Sequence, residues 1–590
     1  MTSKEKVALL RTAMEKENID AFIVFSADPH MSEYLPEEWL ERAWLSGFTG
    51  SAGFVVVTKD KAALWTDGRY FVQAPKELEG SDFELMKDGV EGTPNYISWL
   101  KSEVKEGGTV AVNALATSNT NWTDLEQKLA SRNIKVTDRA LLQDIWMNRQ
   151  SAEKLNEIFV HPVERAGKSA AEKLQAIREK MKEQEAGFHV ITSLDDVAWT
   201  LNLRGSDVDY NPVFLGFITM TQDNAKLYVD ERKLNDEAKK QLQNAKVEIR
   251  DYNEFYNDLA KVENSKILIS PNSNQRIFST LKEKNEFLLA PVPGNLMKAQ
   301  KNESELQGFR AAMERDGVAM VKFLYWLVHN AADEGNTEYT VGKKLREIRA
   351  EGDHFVGESF GSIVGYAGNG AIVHYSAKEE DAFEIKNEGS VLVDSGGQYL
   401  DGTTDITRTL ALGTVSDEFK RNSTLVLQGM IRLSMVKFPK GTRGVQLDAV
   451  ARMPLWMQAK DYAHGTGHGV GSFMNVHEGP QNIRKDMNAQ ELLPGMVCSN
   501  EPGFYVENQY GIRHENLFAV KEIETSDFGV FYEFETLTIC PFFTDCVVKE
   551  LLLPAEIEWL NNYHAWCRTK LEHLLEGEIK EWFLKLVAPI

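Results

Sequence analysis

No single hydrophobic core can serve a chain of 590 residues. Cores stop growing at roughly 250–300 residues, and longer chains divide into units of roughly 100–200. Three or four domains are therefore predicted, and changes of residue pattern mark where they meet. Residues 1–150 read as one α/β unit, in which short β-branched and aromatic runs at Ala21–Phe25, Gly53–Thr58 and Ala62–Trp65 are bounded by turns such as Asp67-Gly68. A second set, residues 151–300, begins near Ser151. It has a helix predicted from Ala170 to Met181 and strands at Phe188–Thr192 and Ala225–Val229, a loose repeat of the first unit. At Asn302 the pattern changes. Asn302 and Glu305 have the spacing of a capping box, and Leu306, Phe309, Met313, Gly317, Met320 and Leu324 follow along one helix face. From there to about residue 530, strands with Gly-rich turns alternate with helices such as one near Ser423–Val436, an α+β pattern with antiparallel strands. Residues 531–590 carry Trp559, Trp566 and Trp582 in helical stretches, which predicts a buried face against the same chain or a partner subunit.

Charge and composition narrow the function. Apolar residues at 43% and charged residues at 26% are those of a globular protein that folds throughout. Lys and Arg number 66 against 88 Asp and Glu, a net charge of −22. A body this acidic repels phosphate backbones, and no basic stripe relieves it, so nucleic acid is not an expected partner. The start, Met1 to Lys6, leads into mixed charged and apolar residues without a signal-peptide core, and no apolar run approaches a membrane span. A cytoplasmic location is expected. Cys498, Cys540, Cys546 and Cys567 form no Cys-x-x-Cys pair and no disulfide pattern, so reduced thiols are expected.

Chemistry concentrates in the third segment. Val391 to Gly397 reads as a buried strand ending in a turn at Asp394, and Asp401 to Arg408 reads as its return, with Asp405 near the start. In a hairpin these two carboxylates lie close, at Cβ separations of roughly 5 Å if directly opposed, and opposed like charges destabilise a strand pair unless a cation or proton lies between them. Taken singly, each Asp reads equally as a turn former. A second stretch, His464-Gly465-Thr466-Gly467-His468-Gly469-Val470-Gly471, continues to His477 and holds three of the chain's 12 histidines. Its glycines let backbone come close to whatever the imidazoles face. Glu501, in Ser499-Asn500-Glu501-Pro502-Gly503, and Glu515, in Arg513-His514-Glu515-Asn516, lie on or at the ends of predicted strands, where Glu is uncommon.

Four carboxylates and one imidazole, Asp394, Asp405, His468, Glu501 and Glu515, thus lie within about 120 residues. An oxygen-rich set without thiolates suits the harder divalent ions, Mn²⁺ first, with Co²⁺, Zn²⁺ or Fe²⁺ as substitutes. Four negative charges in one small space ask for two such ions, since one would leave buried charge uncompensated. A pair of metals sharing a hydroxide performs hydrolysis without a covalent intermediate, so no nucleophilic Ser or Cys is needed.

These segments resemble those of the pita-bread metallopeptidases, in particular the long, cytosolic, three-domain aminopeptidase P (Xaa-Pro aminopeptidase) family. The likeness extends to Trp44–Gly53 and Trp65–Phe71 in the first unit, Asn202–Asp207 and Asn211–Phe214 in the second, and Glu558–His564 in the tail. It implies two creatinase-like α/β domains (1–150 and 151–300), a pita-bread catalytic domain (301–530) and a C-terminal extension packed on it (531–590). It also implies that Asp394 binds one metal, that Asp405 and Glu515 bridge both, that His468 and Glu501 complete the second, and that Glu501 takes the proton from the bridging water. By the same resemblance His374, in Ile372-Val373-His374-Tyr375, together with His464 and His477, orients the scissile carbonyl and stabilises the tetrahedral intermediate. The implied reaction is removal of an N-terminal residue preceding proline through a dinuclear-metal-bound hydroxide, by a homodimer. His514, beside Glu515, departs from the apolar residue common in relatives and is expected to point away from the site, as adjacent strand residues do. Two other readings remain: a prolidase acting on Xaa-Pro dipeptides, and a pita-bread protein that binds peptides without cleaving them.

Overall fold

The computed structural model describes residues 1–149 and 155–590, so the boundary expected near Ser151 lies outside the described residues. The chain separates into two compact units, Met1–Val163 with Lys168–Asn295, and Glu164–Gly167 with Leu296–Ile590.

The first unit contains two six-stranded sheets. In spatial order the first runs Phe83–Lys87, Ala62–Thr66, Phe54–Thr58, Ala21–Phe25, Thr109–Val112, Lys135–Asp138. The second runs Val247–Arg250, Ala225–Tyr228, Phe217–Met220, Phe188–Ile191, Lys266–Ile269, Glu286–Leu289. From one edge to the other, both sheets pair parallel, antiparallel, antiparallel, parallel, parallel. The loose repeat read from sequence is therefore a repeat of topology. Strand alternation explains how these short runs become central strands: Phe22 and Val24 join one apolar cluster while Ala21 and Ile23 join another, so both faces of the strand are buried. The predicted helix forms as Ala170–Glu183.

The second unit opens with the helix Glu303–His329, capped as its sequence predicts: Asn302 Oδ1 accepts from Glu305 N–H, and the Glu305 carboxylate accepts from Asn302 N–H. Phe309, Met313, Gly317, Met320 and Leu324 are buried along it. Its strand pairings are all antiparallel. Three strands, Ile363–Tyr366, Ser390–Ser395 and Ile406–Ala411, form one sheet. Six others form a larger sheet that includes Gly467–Gly469, Val497–Asn500 and Asn516–Ser526. The helix predicted near Ser423–Val436 spans Asp417–Met435.

The tail packs into the core of this unit. Leu560, Tyr563, Cys567 and Leu571 of the helix Pro554–Leu571 and Phe583 of Gly577–Leu586 are buried in a core shared with Phe309, Met430 and Leu517. The three indoles are half-buried against that core. The predicted buried face therefore lies against the same chain, with aliphatic and phenolic side chains at its centre and the Trp residues at its margin. Buried Arg408 ties the tail to the site: its guanidinium donates to Glu515 O (2.6 Å), Cys540 O (2.6 Å) and Tyr563 Oη (3.3 Å). All four cysteines are buried and unbridged.

Candidate active site

The Asp394 strand and its return pair antiparallel, as expected, but Asp394 and Asp405 are not directly opposed. Asp394 faces Thr407, and Asp405 lies two residues before Thr407, just outside the strand. The extra pair Gly397–Tyr399 with Gly402–Thr403 sits inside the loop and sets this offset register. The carboxylates are thus diagonal neighbours on one face, and Thr407 sits between the chemistry of both. Its Oγ1 donates to Glu515 Oε2 (2.8 Å) and accepts from Arg513 Nε (3.2 Å).

Glu515 reaches this face from the link between Tyr510–Arg513 and Asn516–Ser526, where its N–H donates to Thr407 O (3.1 Å). Glu501 directly follows Val497–Asn500, with its N–H on Thr466 O (2.8 Å) and Oε1 accepting from Ser499 Oγ (3.0 Å). His468 sits mid-strand in Gly467–Gly469, which is squeezed between two neighbours: a Cβ on Gly467 would lie 2.0 Å from Ser499 O, and one on Gly469 2.2 Å from Glu478 O. Only glycine permits that approach, which is the physical content of the His-Gly-rich motif. His468 Nε2 lies 3.4 Å from both Asp405 Oδ2 and Glu501 Oε1. Asp405, His468 and Glu515 offer ligand atoms all within 4.8 Å of one another.

The set fits divalent cations on three counts. Asp394 Oδ1 and Glu515 Oε1 are buried and accept no hydrogen bond from any described residue, so each has a lone pair aimed at nothing the protein supplies. His468 Nδ1 lies 2.9 Å from Gly469 O, which can only accept. Nδ1 therefore carries the proton of the neutral ring, and the Nε2 lone pair faces two carboxylates, a repulsive arrangement without a cation between them. The charges report the same need. Burial, reinforced by Asp405, pushes Asp394 up despite Arg513; burial, with Asp405 and Asp394, pushes Glu501 up; and burial, with all three other carboxylates, holds Glu515 well above the ordinary range. Burial would lower His468, but Asp405 and Glu501 overcome it and raise the imidazole to about 9. Asp394, Glu501, Glu515 and His468 are all shifted toward holding a proton, the direction that buried negative charge imposes.

Three further histidines connect to this set through a contact of their own or of a neighbouring residue. His464 Nδ1 donates to Gly465 O (2.7 Å), so its Nε2 accepts from Tyr505 Oη (2.8 Å), and Tyr505 Oη accepts from Arg513 Nη1 (2.6 Å). Arg513 Nη2 in turn donates to Asp394 Oδ2 (2.5 Å), completing a chain from His464 to a candidate ligand. His477 packs edge-on against His468, ring centroids 4.4 Å apart. His374 follows Val373, whose carbonyl lies 3.3 Å from Arg513 Nη2. His514 is buried on the far side, its Nε2 3.1 Å from Ser423 Oγ and its ring edge-on to Phe542; burial and Arg408 lower it to about 3. It does point away.

Sequence reasoning passed over Arg513, Tyr505 and Thr407. Each is legible only by position: Thr407 and Arg513 lie two residues from Asp405 and Glu515, the spacing that puts strand residues on one face.

Comparison with known proteins gives matches along the whole chain. Creatinase/prolidase N-terminal domain models match residues 6–143 and 149–305, the metallopeptidase family M24 model matches 307–522, and its C-terminal region matches 530–590. The chain is 39% identical to a probable Xaa-Pro aminopeptidase P of Laccaria bicolor, over 100% of this chain and 94% of the relative. It is 40% identical to Xaa-Pro aminopeptidase 1 of Dictyostelium discoideum, over 99% and 96%. Among solved structures, an X-prolyl aminopeptidase from Caenorhabditis elegans, described as a cytosolic enzyme with a di-nuclear active site, superposes with a TM-score of 0.95 at 33% identity, covering 100% of both chains. A prolidase from Thermococcus sibiricus matches at a TM-score of 0.50 and 22% identity over 64% of this chain, a likeness of fold alone. With two creatinase-type domains, an M24 domain and its C-terminal region in one unbroken alignment, the chain belongs to the Xaa-Pro aminopeptidase family of M24 metallopeptidases.

Proposed function

We propose that this metallopeptidase removes the residue ahead of a penultimate proline from peptides, using two divalent metal ions. The observation that carries the reading is the convergence of Asp394, Asp405, His468, Glu501 and Glu515 on one face with ligand lone pairs left unmatched. Asp394 would hold one ion, Asp405 and Glu515 would bridge, and His468 and Glu501 would complete the second; the oxygen-rich donors favour Mn²⁺. Such a pair supplies an acidified water and polarises the scissile carbonyl. Glu501 is the base. Its side chain is 18% exposed against 5% for Asp405, so it is the carboxylate that a water reaches, and its raised affinity for protons suits the task. The departing proline nitrogen needs a proton, and Glu501 has just received one. His374, His464 and His477 face the substrate and orient its carbonyl, His464 from a ring held by Gly465 and Tyr505.

The Xaa-Pro bond has no N–H, so a site that recognises it relies on the pyrrolidine ring and the free amino end. Purified protein reconstituted with Mn²⁺ is expected to hydrolyse Xaa-Pro-Yaa peptides; turnover confined to Xaa-Pro dipeptides would replace this reading with a prolidase.

The division into domains 1–150, 151–300, 301–530 and 531–590 and a cytoplasmic location belong to the same proposal. Supporting the location, no helix among the described residues is long and apolar enough to cross a membrane. So does a homodimer. Met453, Trp456 and Met457, at the end of the helix Gly444–Trp456, are 45%, 44% and 77% exposed, a concentrated apolar patch on an otherwise acidic protein. Sedimentation should give a dimer that Met453→Glu with Met457→Glu converts to monomer; a monomeric wild-type protein would end this part of the proposal.

A further inference from the structure

The segment carrying His374, between the strand Ile363–Tyr366 and residue 385, has little regular structure of its own beyond a 3₁₀ turn at Ala367–Ala371. What holds it is one buried carboxylate. Glu338, at the start of the helix Glu338–Ala350, is 0% exposed and accepts hydrogen bonds from three residues of this segment and from Tyr366 at the end of the strand. Oε1 accepts from Tyr366 N–H (2.7 Å) and Asn369 Nδ2 (3.2 Å). Oε2 accepts from Asn369 Nδ2 (3.0 Å), Tyr375 Oη (2.8 Å) and Phe383 N–H (2.8 Å). The Glu338 backbone completes the clasp, its N–H donating to Phe383 O (3.0 Å), and Ile385 N–H donates to Asn336 O (2.8 Å).

This burial demands a reason. A carboxylate shut off from solvent and paired with uncharged donors is expensive, and burial pushes its proton affinity up. Its donors come from both sides of His374: Tyr366 and Asn369 before it, Tyr375 immediately after, and Phe383 beyond. Tyr366 is also the end of the strand in which Ile363 pairs with Asp394. One side chain therefore links the His374 segment to the sheet that carries a candidate metal ligand.

We propose that Glu338 is a positioning residue that fixes His374 relative to the metal centre. The proposal rests on the reading of His374 as a substrate-contacting group. In Glu338→Gln one acceptor oxygen remains for donors that now use two, and the amide turns an N–H₂ toward donors. The segment would then lose its register while Asp394, Asp405 and Glu515 keep theirs.

The test is a double-mutant cycle on the Mn²⁺-loaded full chain with an Xaa-Pro-Yaa peptide. Glu338→Gln alone should lower kcat/KM about 100-fold, the scale of a misplacement near 1 Å, with bound metal per chain unchanged. In a His374→Ala background the same substitution should cost under about threefold, because the group it positions is gone. Full additivity, loss of metal together with activity, or wild-type kcat/KM in Glu338→Gln would each overturn the proposal. Wild-type kcat/KM in His374→Ala itself would overturn the reading of His374, and the proposal with it. Should Glu338→Gln fail to fold, Tyr375→Phe removes a single hydroxyl from the clasp and runs the same cycle. About a tenfold loss is then expected where His374 is retained and almost none in the His374→Ala background, and an equal loss in both backgrounds would overturn the proposal.

Discussion

Glu501→Ala should lose about 10⁴-fold in kcat, the upper range for removing a general base, while the protein stays folded. The fold prediction follows from what Glu501 contributes locally. Its N–H bond to Thr466 O is backbone and survives the substitution, and Ser499 Oγ keeps its bond from His468 N–H (3.0 Å). Removing one of four mutually repelling carboxylates also offsets the loss of its contacts in the metal-free state, so a far-UV spectrum and melting temperature near wild type are expected. Alanine removes the proposed ligand and the proposed base together, and Glu501→Gln separates them. Glutamine keeps an oxygen for coordination but cannot take a proton, so it should retain metal and still lose about 10²-fold or more. Activity within tenfold of wild type in both variants would refute the assignment of Glu501.

How much of this site the sequence discloses depends on whether a property is local. The cap at Asn302 and Glu305 is a four-residue matter, and it forms as predicted. The glycines around His468 announce close backbone approach, and the structure supplies the neighbours, Ser499 and Glu478, that require it. Pair register is different. Asp394 and Asp405 look like partners across a turn, but two short strands within that turn shift the pairing by two residues and bring Thr407 opposite Asp394. Arg513 is less legible still. A buried guanidinium makes sense only once Asp394, Tyr505 and Val373 are brought to it from segments 8 to 140 residues away. Its role is electrostatic and geometric: it takes one oxygen of Asp394 and leaves the other free, which orients the carboxylate without competing for both lone pairs. The indoles of the tail point to the right face without marking its centre. Their hydrophobicity predicts a buried face, and the face exists, but packing at its centre falls to Leu560, Tyr563, Cys567 and Phe583, shapes that interdigitate where a larger ring does not.

Asp405→Asn should lose metal and activity together and, in the absence of metal, gain stability. Asp405 is 4% exposed and acts on every partner in the site: it raises Asp394, Glu501 and Glu515, and it raises His468 against the effect of burial. Four carboxylates would offset two divalent cations, and a neutral amide in the proposed bridging position would leave one positive charge uncompensated in a buried space. With wild-type protein, a cation at 100 times its Kd stabilises the folded state by about 2.7 kcal/mol per site, which appears as a rise in melting temperature when Mn²⁺ is added to chelator-treated enzyme. In Asp405→Asn that rise should shrink to a small fraction, while the metal-free variant melts above metal-free wild type because one source of like-charge repulsion is gone. The two shifts have opposite signs, so a general loss of packing cannot imitate them: it would lower both melting temperatures. A variant that takes up two ions per chain and shows the full wild-type rise would remove Asp405 from the bridge and reduce the site to the ligands contributed by Asp394, His468, Glu501 and Glu515.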